Sequence, residues 1–238
     1  MGIENVKAMT FDVFGTVVDW RASITREGRK LGGAKGITGV DWVEFADAWR
    51  GGYRPSMDLV RTGKLPWTKI DDLHRMVLDE LLAKYNITGL TEEEKVDFNK
   101  AWHRLDPWPD SVAGLNRLKS RYIISTLSNG NVALLTNMAK WGGLPWDCVL
   151  SAESVRHYKP DPESYLGAAD LLGVEPSELM MVAAHKYDLM AAHDVGLKTG
   201  FVGRPDEHGP DREVDVEPED WMDAHGTDFE DFAAKLGL

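Results

Sequence analysis

Short apolar runs rich in β-branched residues recur along the chain and predict five strands. They cover residues 8–14, 121–126, 148–151, 179–184 and 199–202. Between the later four runs, apolar residues return at intervals of three and four, which is the period of an α-helix. Strands that alternate with helices of this length predict a parallel sheet with helices on both faces.

Residues 20–105 break this alternation. The segments "DWVEFADAWRGGY" and "TKIDDLHRMVLDELLAKY" both show helical spacing, and no strand pattern separates them. We therefore expect an α/β fold whose core, a Rossmann-like doubly wound sheet, comprises residues 1–19 and 106–238. Residues 20–105 then form a helical cap inserted after the first strand, and "DPWPDS" at 106–111 returns the chain to the core.

Polar residues follow the predicted strands at the points where the strands end. Asp12 ends the first strand, Ser128 and Asn129 follow the second, Lys159 lies beyond the third and Asp188 beyond the fourth. Ligands of open α/β sheets bind outside the carboxyl ends of the strands, so these side chains are expected to share one site. For Asp12 alone, the alternative is a local turn-forming role beside a glycine.

The charge is unevenly distributed. The net charge is −12, and residues 206–231 contain twelve acids against the single base Arg212. The rest of the chain is close to neutral and shows no basic face, which argues against a nucleic-acid partner. We interpret the acidic stretch as a solvated segment in preference to a binding tail.

The cellular setting is indicated by three features. A single cysteine, Cys148, fits a reducing compartment, and the first residues lack the pattern of a signal peptide. No apolar run approaches the roughly 20 residues of a membrane span. We expect a cytoplasmic protein with no membrane association.

Four motifs, taken in order, resemble those of the haloacid dehalogenase superfamily and, more narrowly, its type II L-2-haloacid dehalogenases. They are "FDVFGT", "STLSNGN", "YKPDPESY" and "MVAAHKYDLMAA". The resemblance implies the hydrolysis of (S)-2-haloalkanoic acids, such as haloacetates and 2-halopropionate, to 2-hydroxy acids through an aspartyl ester. It implies a small halogenated carboxylic acid as the ligand, no metal and no other cofactor, and a homodimer.

Most members of that superfamily are phosphatases, so the chemistry needs a separate argument. Such a phosphatase needs a second acid two positions after its nucleophile and further carboxylates for Mg²⁺. Here Phe14 occupies that position, and the fourth motif offers only Asp188. A halide leaves as a stable anion and needs no proton. Dehalogenation is therefore favoured over the alternative, a phosphatase or phosphonatase-like hydrolase. A catalytically idle binding protein is disfavoured because Asp12 and Lys159 are both present.

The resemblance assigns the catalytic roles. Asp12 is the expected nucleophile, with Thr16 orienting it and Lys159 keeping it ionised. Asp188 is expected to support Lys159 or the hydrolytic water. His185 stands where many members carry asparagine, so it either assists the water or fills the place of the amide as a structural donor.

The remaining site residues are expected to bind substrate or halide. Arg50, in "AWRGGY", resembles the arginine of the cap that meets the halide or the carboxylate. Ser128 and Asn129 are expected to hold the carboxylate, while Phe14 lies beside the carbon–halogen bond. Two tyrosines complete the set: Tyr187 in the wall of the pocket, and Tyr165, which either forms a hydrogen bond near Lys159 or makes an apolar contact.

Overall fold

A computed structural model describes residues 2–238 and shows eight strands in that range. In chain order they are β1 (Ala8–Phe11), β2 (Val18–Asp19), β3 (Asp106–Pro107), β4 (Ile123–Ser128), β5 (Cys148–Ser151), β6 (Leu179–Ala183), β7 (Lys198–Val202) and β8 (Ala224–Gly226). Six of them form one parallel sheet in the order β5-β4-β1-β6-β7-β8. The chain thus adds strands first on one side of β1 and then on the other, which confirms the doubly wound fold class.

Five helices fill the chain between β2 and β3. They are α1 (Trp20–Lys35), α2 (Trp42–Gly51), α3 (Tyr53–Arg61), α4 (Ile70–Lys84) and α5 (Glu92–Asn99). Their shared interior is aromatic: the rings of Phe45, Trp49 and Phe98 lie within 5.9 Å of one another. The chain enters and leaves this helical cap through the short antiparallel pair β2–β3, in which Val18 faces Pro107.

The sheet is covered by the helices that follow β3. They are α6 (Ser111–Lys119), α7 (Val132–Gly142), α8 (Ala152–Val155), α9 (Pro162–Leu172), α10 (Lys186–Asp194) and α11 (Phe229–Lys235). Strand β6 shows why both faces are needed, since all five of its residues are buried. Met180 and Val182 join the core that contains Phe229, whereas Met181 joins a second core that contains Leu189. Alternate residues of a strand point to opposite faces, so each face requires its own helices.

The structure also contains a sixth parallel strand that the pattern of apolar residues did not predict. Strand β8 has three residues, Ala-His-Gly, and lies at the edge of the sheet beside β7. It has no β-branched residue, so it lacks the usual signal of a strand. No helix within residues 2–238 is long and apolar enough to cross a membrane.

Candidate active site

Asp12 lies directly beyond β1, in the middle of the sheet. Its backbone N–H donates to the carbonyl oxygen of Val182 at 3.0 Å, which holds the residue in line with β6. The residue is 7% exposed. Its Oδ2 accepts the hydroxyl of Thr16 at 2.8 Å and lies 2.9 Å from Nδ1 of His185, and its Oδ1 lies 3.1 Å from Nζ of Lys159. The side chains of Thr16, His185 and Lys159 therefore fix both carboxylate oxygens of Asp12.

These contacts determine the charge of Asp12. Burial by itself raises the pKa of a carboxyl group, because the charged form loses its hydration. The Lys159 ammonium, His185 and the Thr16 hydroxyl outweigh this effect and hold the pKa of Asp12 well below its usual range. Asp12 is therefore an anion at neutral pH, which is the state that a nucleophile requires.

Lys159 is held by its main chain as well as by its charge. The Asn129 carboxamide accepts the backbone N–H of Lys159 at 2.7 Å and donates to its carbonyl oxygen at 3.2 Å. The ammonium also lies 2.5 Å from Oδ2 of Asp188. Burial lowers the pKa of Lys159, but the two carboxylates outweigh burial and the net change is a raised pKa. Lys159 therefore stays protonated between them.

Asp188 supports this arrangement from helix α10. Its Oδ1 accepts the hydroxyl of Tyr165 at 2.5 Å, and the residue is 2% exposed. Burial, together with the nearby charge of Asp12, raises the pKa of Asp188 despite the contact with Lys159. Of the two roles considered for Tyr165, the hydrogen bond is the one present, although its acceptor is Asp188.

His185 lies between two carboxylates, and the second one is a residue that sequence reasoning missed. Nε2 of His185 lies 3.0 and 3.1 Å from the two oxygens of Glu207. Glu207 belongs to the stretch that we interpreted as solvated, yet it is 2% exposed. It follows β7 by five residues, so the rule applied to the other strand ends would have selected it.

A cavity of about 70 Å³ opens beside Asp12, between the sheet and the cap. Predicted site residues on its wall are Asp12, Phe14, Arg50, Asn129, Lys159, His185, Tyr187 and Asp188. Helix α3 adds residues that were not predicted, namely Tyr53, Arg54, Met57, Asp58 and Arg61. The volume is enough for roughly five water molecules, so only a small ligand fits.

Arg50 presents its guanidinium to this cavity. Its guanidinium lies 4.3 Å from the centre of the Tyr53 ring and 5.9 Å from that of Phe14. Nη1 is buried and has no hydrogen-bond partner among residues 2–238. A buried donor without a partner is costly, and an anion in the cavity would satisfy it.

The wall behind Phe14 is aromatic. The Phe14 ring meets the edges of Tyr53 and Trp102, and Trp102 stacks on His74 with 4.3 Å between ring centres. Burial lowers the pKa of His74 to about 3, so this imidazole is neutral at physiological pH. The charged groups of the site therefore face a buried and uncharged surface on this side, which screens their interactions less than water does.

Two residues expected to bind the substrate do not reach the cavity. Ser128 is 1% exposed, and its Oγ accepts the backbone N–H of Gly130 at 3.1 Å. Tyr165 is fully buried and directed at Asp188. The expectation that Ser128 and Tyr165 bind the substrate is therefore corrected. Ser128 is the last residue of β4 and Tyr165 lies on the inner face of α9, and both pack into the core. Thr16 also lies off the cavity wall, and its contact with the site is the hydrogen bond that its hydroxyl donates to Asp12.

The acidic groups of the site are dispersed in a way that matters for metal binding. No group of three or more His, Cys, Asp or Glu side chains is arranged to hold a metal ion in the described part of the chain. Asp12 and Asp188 are separated by the Lys159 ammonium, which contacts both of them. Both carboxylates are therefore paired with the same ammonium.

Comparisons with known proteins identify the family of this chain. A family model described as haloacid dehalogenase-like hydrolase matches residues 6–196. The (S)-2-haloacid dehalogenase 4A of Burkholderia cepacia is 29% identical over 210 residues, which cover 85% of each chain.

Two crystal structures have nearly the same fold. The structure of the defluorinating L-2-haloacid dehalogenase Rha0230 has a TM-score of 0.94 and 46% identity, with coverage of 98% of this chain and 96% of that one. The structure of the L-2-haloacid dehalogenase PA0810 has a TM-score of 0.93 and 45% identity, with coverage of 98% and 99%. The chain belongs to the haloacid dehalogenase-like hydrolase family.

Proposed function

We propose that this protein hydrolyses (S)-2-haloalkanoic acids to 2-hydroxy acids through an ester on Asp12, without a metal ion. One observation carries the proposal: an ionised carboxylate, fixed by Lys159, faces a small cavity that also contains the unpartnered guanidinium nitrogen of Arg50. The reaction needs one nucleophilic anion and cationic donors for a carboxylate and a departing halide. The cavity supplies both.

In the first step the Asp12 carboxylate attacks the Cα of the substrate from the side opposite the halogen. The new C–O bond forms while the carbon–halogen bond breaks, and the halide takes the bonding electrons. This displacement depends on positioning more than on acid catalysis. Thr16 and Lys159 hold the carboxylate, and Arg50 donates to the halide as its charge develops.

In the second step a water molecule attacks Cγ of Asp12 and releases the 2-hydroxy acid. The carboxylate oxygen acquired from water then stays on the enzyme. Lys159 remains beside the group throughout and stabilises the oxyanion that forms at Cγ. The configuration at Cα is inverted once, because only the first step takes place at that carbon.

The cavity supports small substrates, namely haloacetates and 2-halopropionate. Its volume of about 70 Å³ leaves little room for a longer side chain, and the apolar side chains of Met57 and Phe14 are part of its wall. The relative Rha0230 is described as defluorinating. We include fluoroacetate among the substrates of this chain, since fluoride is a poor leaving group that needs close donors such as Arg50.

Phosphate chemistry is not favoured. A phosphate dianion would meet the negative charge of Asp12 without the carboxylate-bound Mg²⁺ that offsets it in such enzymes. The position where a phosphatase places its second acid holds the Phe14 ring, which is 2% exposed and packed among aromatic side chains.

The test measures halide release from chloroacetate, L-2-chloropropionate and fluoroacetate, with and without EDTA. We expect activity that is unchanged by EDTA and a loss of at least about 10³-fold in Asp12→Asn. Asp194→Asn, an exposed aspartate on α10, is the matched control. A single turnover in H₂¹⁸O is expected to leave ¹⁸O in the Asp12 side chain. Full activity of Asp12→Asn, or a strict requirement for Mg²⁺, would refute the proposal.

Three further features are proposed on the sequence and the family resemblance. The cap comprises residues 20–105 and the core comprises residues 1–19 and 106–238; the β2–β3 pair at the junction supports this division. The protein is a homodimer, which light scattering after size-exclusion chromatography tests. It is cytoplasmic, which fractionation of the source cells tests.

A further inference from the structure

We propose that Glu207 is a positioning residue that prepares His185 to act as the base for hydrolysis of the Asp12 ester, and not for its formation. The inference rests on the proposed function and deepens its second step. It assigns a role to a buried acid in the loop after β7. The role depends on the place of His185 between two carboxylates, one of which loses its charge during the reaction.

The geometry gives each ring nitrogen of His185 a different partner. Nδ1 lies 2.9 Å from Oδ2 of Asp12, and Nε2 lies 3.0 Å from Oε2 of Glu207. The ring of Tyr187 lies against the imidazole, with 5.5 Å between the centres. Rotation of the ring would break both hydrogen bonds at once. Nδ1 is therefore held toward the atoms that react.

The protein holds Glu207 in a fitted position. Its Oε1 also accepts the indole N–H of Trp20 at 3.2 Å. Residue 15 is a glycine, and a Cβ at that position would lie 2.1 Å from Oε1 of Glu207. Gly15 belongs to the loop that carries Asp12, so the missing side chain gives Glu207 room beside the nucleophile.

The charges around His185 favour the imidazolium before the reaction. Asp12 faces it from the loop after β1 and Glu207 from the loop after β7, while the Lys159 ammonium lies beyond Asp12 and Tyr187 lies on α10. The charges of Arg50 and His208 help to lower the pKa of Glu207. Burial lowers the pKa of His185, but hydrogen bonds to Asp12 and Glu207 raise it to about 10. In this state the imidazolium donates to Asp12 and holds no free lone pair.

Ester formation changes this balance. Asp12 becomes neutral, so the proton on Nδ1 loses its carboxylate acceptor and departs through the cavity to solvent. The Nε2–H remains donated to Glu207, which keeps the imidazole in the tautomer with a free lone pair on Nδ1. The proton released here is the one that the complete reaction, haloacid plus water to hydroxy acid plus halide, must produce.

Hydrolysis then restores the starting state. Nδ1 takes one proton from the attacking water while the water oxygen bonds to Cγ of Asp12. The bond from Cγ to the substrate oxygen breaks, and the leaving alkoxide takes the second proton of the water. Asp12 is again a carboxylate and His185 again an imidazolium, and no other reactant is needed.

The experiment compares the two chemical steps in Glu207→Gln by rapid quenching of a single turnover of chloroacetate. Chloride release reports ester formation, and the mass of the intact protein reports the ester on Asp12. We expect chloride release within about threefold of wild type and ester hydrolysis slowed about 100-fold, the usual scale of a positioned base. The ester then accumulates to nearly one per protein. Equal slowing of both steps, or no accumulation of ester, would overturn the proposal.

Two further variants make the result specific. Glu213→Gln removes the same charge from an exposed position in the same acidic stretch and is expected to behave as wild type in both steps. Glu207→Asp keeps the carboxylate, and faster ester hydrolysis than in Glu207→Gln is expected; hydrolysis no faster than in Glu207→Gln contradicts the assigned role. If Glu207→Gln does not fold, ester accumulation in Glu207→Asp is the deciding measurement. Failure of Asp12→Asn to lose activity refutes the proposed function itself, which is a different outcome.

Discussion

The ammonium of Lys159 lies 3.1 Å from Oδ1 of Asp12, although 147 positions separate the two residues in the chain. Strand β1 and the loop beyond β5 bring them together at the carboxyl edge of the sheet. Both side chains are nearly inaccessible to solvent, with 5% exposure for Lys159 and 10% for Asp12. The pair therefore interacts in a medium that screens charge much less than water does.

Replacement of Lys159 by methionine is expected to shift the pH dependence as well as the rate. The ammonium lowers the pKa of Asp12, so its removal raises that pKa, and the nucleophile protonates at higher pH. The acidic limb of kcat/KM for chloroacetate therefore moves to higher pH, and the maximum falls by about 10²-fold or more.

The matched control for that change is Lys64→Met. Lys64 is exposed in the loop after α3 and is not part of the cavity wall. Its profile is expected to overlie that of wild type. An acidic limb that keeps its position in Lys159→Met would contradict the assignment of Lys159 as the group that keeps Asp12 ionised.

A second ion pair, between Arg204 and Asp110, is expected to stabilise the core. Two hydrogen bonds of 2.7 and 2.8 Å join the side chains, and Nε of Arg204 donates to the carbonyl oxygen of Thr16 at 2.8 Å. Arg204 is 6% exposed. Asp110→Asn leaves this guanidinium buried without its carboxylate, and we expect a loss of about 3 kcal/mol in the free energy of unfolding.

The pH dependence of stability tests the same pair. Burial raises the pKa of Asp110, but Arg204 and the backbone N–H of Phe229 outweigh it, so the folded-state pKa lies below the unfolded value. The stabilisation is present above about pH 4 and is lost as the pH falls through the folded pKa. The free energy of unfolding of Asp110→Asn, measured with urea, is expected to decline less steeply with falling pH in this range.

The exposed pair of Arg75 and Asp79 provides the control: Asp79→Asn changes stability by less than about 1 kcal/mol.

The sequence predicted the centre of this molecule better than its periphery. Strands such as β6 are buried on both faces and therefore appear as unbroken apolar runs, and Asp12 and Lys159 follow from the rule for strand ends. The residues that the cap contributes to the cavity wall could not be predicted from the sequence. Residues 54, 57, 58 and 61 lie on one side of α3 by helical spacing, but only the angle of the cap on the core decides which side of the helix meets the cavity.

Glu207 shows a different limit of sequence reasoning. A cluster of acids is usually solvated, and eight of the twelve acids between residues 206 and 231 are exposed. One of its members is buried because His185 and Trp20 offer it hydrogen bonds. Those partners are 22 and 187 positions away. Composition averages over the stretch and so conceals a single residue with a role of its own.

Met57→Ala is expected to widen the range of substrates. Met57 is 5% exposed and closes the cavity from α3. Its truncation creates space for a longer chain on Cα, so the ratio of kcat/KM for 2-chlorobutyrate to that for 2-chloropropionate is expected to rise about tenfold, as is typical for one methylene in an apolar pocket. The same change costs about 2 kcal/mol of stability.

A control for this variant is Met76→Ala on α4. Met76 is 41% exposed and is not part of the cavity wall. It is expected to leave the substrate ratio unchanged and to alter stability by less than about 0.5 kcal/mol. A substrate ratio that does not rise in Met57→Ala would show that another wall of the cavity limits the chain length.

Gly15→Ala is expected to disturb stability and catalysis together. Gly15 has a φ of +85°, a region that L-residues adopt at a cost of about 1–2 kcal/mol. The added Cβ would also lie 2.1 Å from Oε1 of Glu207, so the carboxylate has to move. Displacement of Glu207 weakens its hold on His185. We therefore expect Gly15→Ala to accumulate the Asp12 ester during turnover of chloroacetate, in addition to lowering the midpoint of thermal unfolding.

Gly33→Ala separates this effect from a general intolerance of alanine at glycine positions. Gly33 lies in α1, where an added Cβ meets no atom within 4 Å. Alanine favours a helix over glycine by up to about 1 kcal/mol, so this variant is expected to be at least as stable as wild type and to form no excess ester. Excess ester in both variants, or in neither, would contradict the link between the clearance at Gly15 and the position of Glu207. Excess ester in Gly15→Ala alone would connect the left-handed turn of the nucleophile loop to the second chemical step.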